Sequence, residues 1–158
     1  MGWYVKQKAR NQAAKARKSS VLASFGSGPN RCIEVYEDRV EVMTTNHSVA
    51  TSNKLAKASG SGRTGWKVMP YNTGVEAEVV EGDPGTGQTS RVTVTRLIGL
   101  GIFALAVPKK SGAKPKAVLF IANTAGESIT LTLDADRIAE AKVVEAAING
   151  AVASATVV

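Results

Sequence analysis

Between Cys32 and Leu133 the chain repeats one pattern: short runs in which apolar residues alternate with polar ones, each run bounded by Gly, Pro, Asn, Asp or Ser. Alternation with a period of two puts one side of an extended segment against a core and the other in solvent, so these runs are read as half-buried strands. Cys32, Ile33, Val35 and Tyr36 lead through Glu37-Asp38-Arg39 into Val40, Val42 and Thr44, which predicts two strands joined by a tight hairpin. Trp66, Val68 and Tyr71 predict a short strand ending near Pro70, and Val75, Ala77 and Val79 alternate with Glu76 and Glu78 in the next. After the turn cluster from Gly82 to Gly87, strands are expected over Val92–Val94, Ile102–Val107, Val118–Ile121 and Ile129–Leu133.

One segment breaks the period. Ile138, Ala141, Val144 and Ile148 recur at three and four residues, which predicts an amphipathic helix, with Asp134 as its cap and Gly150 as its stop. Asn46–Arg63 lacks a sustained period and reads as a long loop with a helical turn around Lys54–Ala58. Short strands followed by one helix suit a barrel or sandwich whose open end the helix covers. Of the residues, 44% are hydrophobic and only 5% aromatic, so the core draws on aliphatic side chains and is large enough to need no staples.

Charge is distributed unevenly. The formal net charge is +7, yet Lys6, Lys8, Arg10, Lys15, Arg17 and Lys18 lie in the first 18 residues with no acid among them. The rest of the chain carries 14 basic and 13 acidic side chains and is nearly neutral. Ala, Gln, Lys and Arg favour a helix from about Tyr4 to Lys18, polar almost all round. Such a segment is either a solvated tail or an arm that orders against an anionic or protein partner. Two further basic clusters fall in expected loops: Lys54, Lys57, Arg63 and Lys67, and Lys109, Lys110, Lys114 and Lys116. Phosphate contact by these groups would favour nucleic acid or an anionic membrane surface, although aromatic stacking platforms are scarce beside them.

Catalytic patterns are missing. His47 is the only histidine and sits in a polar loop, so one chain offers no imidazole pair for a metal. Cys32 is the only cysteine, which excludes an intrachain disulfide and fits a reducing, cytoplasmic setting. It opens an expected strand, where a buried structural thiol is the ordinary role. Gly85-Thr86-Gly87 and Gly99-Leu100-Gly101 lack the residues that complete a phosphate-binding loop. The longest apolar stretch, Leu97–Val107, is too short to span a bilayer as a helix, and no signal peptide is read at the start. The chain is therefore expected to be no enzyme and to use no cofactor or metal.

The order of these pieces resembles the PH-like domains of small proteins from actinobacteria and their phages. The resemblance rests on Ile33-Glu34-Val35-Tyr36-Glu37-Asp38-Arg39-Val40, on Val75-Glu76-Ala77-Glu78-Val79, on Ser90–Leu97, on Gly101–Ala106, on Lys109-Lys110, and on the closing Ala-rich helix. It implies a bent barrel of about seven antiparallel strands capped by one C-terminal helix. The organisation expected is a basic arm and linker over 1–30, a PH-like domain over 31–150 and an apolar tail over 151–158. The best-known members of that family bind phosphoinositides through basic loops beside the first hairpin, whereas Glu37-Asp38-Arg39 is mainly acidic. The function expected is a protein-binding or self-associating assembly module acting through this scaffold and the arm, with electrostatic attachment to nucleic acid or an anionic membrane surface as the alternative.

Overall fold

The computed structural model describes residues 2–81 and 117–157. The strands expected over Val92–Val94 and Ile102–Val107, the turn and glycine loops between 82 and 101, and the cluster Lys109, Lys110, Lys114 and Lys116 lie outside the described residues.

Helix α1 (Trp3–Ser19) opens the chain, close to the bounds expected from its composition. Strands β1 (Ala23–Phe25), β2 (Ile33–Val35), β3 (Arg39–Met43) and β5 (Trp66–Pro70) form one antiparallel sheet in the order β1-β2-β3-β5. Strands β4 (Val49–Thr51), β8 (Ser128–Leu133), β7 (Ala117–Ala122) and β6 (Glu76–Glu81) form a second, in the order β4-β8-β7-β6. A short helix α2 (Asn53–Lys57) lies between β4 and β5, and α3 (Ile138–Thr156) closes the chain.

The expected hairpin is present, with Val35 opposite Val40 and Ile33 opposite Val42. The inward side chains of this sheet, among them Ile33, Val35, Val40, Val42 and Met69, meet Leu119, Ile121, Ile129, Leu131 and Leu133 of the second sheet in one core. Helix α3 joins that core with Ala141, Val144, Ile148 and Ala151, on the stripe read from the sequence plus one turn. The Asn149 side chain fastens the helix to β6, accepting from the Ala77 N–H at 3.1 Å and donating to the Ala77 carbonyl at 2.9 Å.

The architecture departs from the expectation in four places. The described strands number eight and make two sheets without closing a barrel. Among the described residues no edge strand of one sheet pairs with an edge strand of the other, and β4, which follows β3 in the chain, pairs with β8 of the second sheet. Strand β1 occupies a segment expected to be linker: Ser24 pairs with Glu34, and the turn behind it needs Gly26, whose φ is +85° and whose added Cβ would meet the Asn30 carbonyl oxygen at 2.3 Å. Asp134 makes no side-chain cap; it precedes a 3-10 turn, Ala135–Arg137, that leads into α3. Gly150 does not stop the helix, which continues through Ala151–Thr156 because those residues include no proline and Ala151 is buried in the core. The segment read as an apolar tail is thus mostly the last turns of α3.

Candidate functional site

The basic residues singled out in the sequence meet different fates, and the difference sets the candidate site. In α1 all six project from a helix with no buried residue. Arg17 is partly covered, and Lys6, Lys8, Arg10, Lys15 and Lys18 are exposed. Arg17 and Lys18 sit at the C-terminal end, where the helix dipole favours cations, and the Ser19 and Ser20 hydroxyls donate to the Ala16 and Arg17 carbonyls. The opposite end has neither an acidic first turn nor a side-chain cap. It instead presents Trp3, 76% exposed, and Tyr4, 75% exposed, to solvent.

The second cluster is taken apart by the fold. Lys54 donates to the Ala125 carbonyl at 3.1 Å, Lys67 donates to the Ala58 carbonyl at 2.6 Å, and Lys57 is exposed on α2. Arg63 goes elsewhere, onto the outer face of the first sheet. There Glu34 of β2 stands directly opposite Glu41 of β3, with side chains only 7% and 4% exposed. Like charges in that register repel, and burial raises the cost.

Arg63 resolves the conflict by donating to both carboxylates, at 2.6 Å to Glu34 and 2.5 Å to Glu41, while its guanidinium lies 3.8 Å from the centre of the Trp66 ring. Arg39 donates to Glu41 at 2.9 Å and stacks on Tyr36 at 4.2 Å; Arg31 donates to Glu34 at 3.2 Å, and the Tyr36 hydroxyl donates to Glu34 at 2.7 Å. Burial pushes the Glu34 carboxyl up, but the hydrogen bonds from Arg63, Tyr36 and Arg31 outweigh it and hold the group below its ordinary value. Burial and the Glu34 carboxylate together hold the Tyr36 phenol well above its ordinary range. Neither group is poised to exchange protons near neutrality, so this is a pinned ion network that fastens the Arg63 loop to the sheet.

A polar cleft between the sheets is lined by Asn30, Cys32, Asn46, Ser48, Asp134 and Arg137. Its cation is also engaged: Arg137 donates to Glu140 at 2.8 Å and 2.6 Å and stacks over Phe25 at 4.3 Å, while the other Glu140 oxygen accepts from the Gly26 N–H at 2.7 Å. Burial pushes the Cys32 thiol up to about 11, which leaves it protonated and a poor nucleophile at neutral pH. His47 is exposed. Among the described residues no group of three His, Cys, Asp or Glu stands close enough to hold a metal ion, and no helix is long and apolar enough to cross a membrane.

The ion network escaped the sequence reading because Arg63 is 29 residues from Glu34. A signal was available: a hairpin pairing Val35 with Val40 puts Glu34 opposite Glu41, and two buried carboxylates in that position demand a cation from somewhere. The exposed basic side chains of α1, by contrast, are held by no carboxylate among the described residues. No family model, no curated protein and no solved structure matches this chain.

Proposed function

We propose that this chain is a non-enzymatic protein-binding or assembly module on a PH-like scaffold, related to those of actinobacteria and their phages, and that α1 is the element that engages the partner. One observation carries the reading: a helix of 17 residues has no buried residue and yet bears two exposed aromatic rings at its start. Helices in proteins draw most of their stability from packing one face, so a helix that buries none of its residues among the described ones is read as one whose contacts lie outside them. The PH-like reading is supported by the order of the pieces, a first sheet built on the β2–β3 hairpin, then a second sheet, then a closing helix. The non-enzymatic reading is supported by a protonated Cys32 and a Glu34 held ionised by arginine.

A second reading, electrostatic attachment to nucleic acid or an anionic membrane surface, is favoured by the six cations of α1 with no acid beside them. Light scattering over a concentration series, on the full chain and on a form lacking residues 1–20, separates the two. Self-association that survives high salt and disappears with the arm supports assembly. Binding to duplex DNA or anionic vesicles that falls steeply with salt, on a strictly monomeric protein, moves the assignment to attachment.

A further inference from the structure

Helix α3 is apolar on two sides. Its inner side fills the core, while Val143, Ala146, Gly150, Ala153 and Val157 follow one another at three- and four-residue spacing on the other side, all exposed. From Ala146 to Val157 the helix has no charged residue. Beside this side runs an open groove of about 600 Å³, with Ala146, Ala147, Gly150 and Ser154 on one wall and Leu22 and Glu37 on the other. A helix that is apolar on opposite sides is ordinarily covered on both. Gly150 strengthens the point: a glycine inside a helix is unfavourable relative to alanine, and an added Cβ there would meet nothing within 4 Å of its own chain.

We infer that this groove receives the α1 helix of a second copy of this chain, the two copies exchanging arms across a twofold axis. The inference rests on the assembly reading above and names its partner and its surface. Charge favours the pairing: Glu37 is the charged residue on the groove wall. A phosphate backbone would meet the uncharged later turns of α3 and a carboxylate there, whereas α1 brings six cations together with Val5, Ala9, Ala13 and Ala16 spaced along one side.

The tether favours a second copy over the chain's own helix. Only Ser20 and Val21 separate α1 from Leu22, and both ends are fixed: the Ser20 N–H donates to Arg17 and the Leu22 N–H donates to Val35 at 2.8 Å. The arm thus joins its domain beside Leu22 on the groove wall, and a reciprocal exchange closes the pair with the same contact made twice.

The test uses full-length variants that each add one cysteine, the native Cys32 being buried. Ala9→Cys, Ala13→Cys or Ala16→Cys on the arm is mixed with tagged Ala146→Cys on the groove under mild oxidation. A mixed disulfide between arm and groove variants in at least one pairing is the expected result. Gly150→Lys is expected to lower both the dimer fraction and the mixed disulfide by about tenfold or more, since like charges brought together across an interface are strongly disfavoured. The open space around Gly150 and the helix preference of lysine let that variant fold, with thermal unfolding as the check. Absence of a mixed disulfide from all three pairings overturns the inference, as does a chain carrying both cysteines that closes on itself as a monomer. If light scattering finds dimers without any arm-to-groove disulfide, the groove is wrong and the assembly reading stands; a strict monomer removes both.

Discussion

The outer face of the β1-β2-β3-β5 sheet and helix α1 are both rich in basic side chains, and they use them in opposite ways. Arg31, Arg39 and Arg63 are committed to carboxylates, and Arg39 and Arg63 are also stacked on aromatic rings. On α1 the cations have neither kind of neighbour among the described residues. The contrast teaches that a basic residue reads as a binding group only when no buried acid has a prior claim on it. Arg63 and Lys67 looked alike in the sequence as members of a lysine-rich loop; one is the keystone of an ion network and the other fastens a turn.

The comparison breaks most sharply at Arg63. Arg63→Ala removes the cation that Glu34 and Glu41 share, leaving Glu34 to Arg31 and Glu41 to Arg39, and the two lost charge-assisted hydrogen bonds are expected to cost about 2–3 kcal/mol. Urea unfolding is expected to show that loss, and a second change, Glu41→Gln, to recover part of it. Equal stability of Arg63→Ala and the parent protein would mean that the network is decorative.

Acid is the next largest perturbation. The Glu34 carboxyl has a folded value below its ordinary 4.5, so its contribution is complete above about that pH and is lost as pH falls through the lower, folded value. Unfolding midpoints measured downward from pH 5 should therefore drop in the parent protein and drop less in Glu34→Gln. At the alkaline end the sign reverses: Tyr36 and Tyr71 are held above their ordinary 10.0, and their contribution fades as pH rises beyond it.

Arg39→Gln should cost less than Arg63→Ala, about 1–2 kcal/mol, because Arg39 is partly exposed and Glu41 keeps its bond to Arg63. The smallest effect on stability belongs to the arm. Lys8→Gln combined with Lys15→Gln is expected to leave the unfolding free energy within about 0.5 kcal/mol while weakening partner binding and its salt dependence. A large loss of stability there would show that α1 packs on its own domain after all.

Much of the fold was legible in the residues. Alternation located β2, β3, β5, β6 and β8, a continuous apolar run located β7, and three- and four-residue spacing located α3, since periodicity reports burial directly. Strands β1 and β4 escaped because three residues are too few to show a period, and both lie among serines, threonines and asparagines that read as loop. The end of α3 was misplaced because glycine is a common helix stop, and nothing local reveals that the far side of the helix is open.

By itself, then, the sequence determined the strand-forming segments, the closing helix and the segregation of positive charge into the first 18 residues, because each depends on neighbours along the chain. Only the tertiary structure decided that the strands divide into two sheets, that Arg63 is bound between two buried carboxylates while α1 stays unburied, and that α3 keeps an open apolar side. Those outcomes depend on which distant groups meet. A charge buried among carboxylates and a charge in water have the same letter in the sequence, and only desolvation by the surrounding fold makes them different.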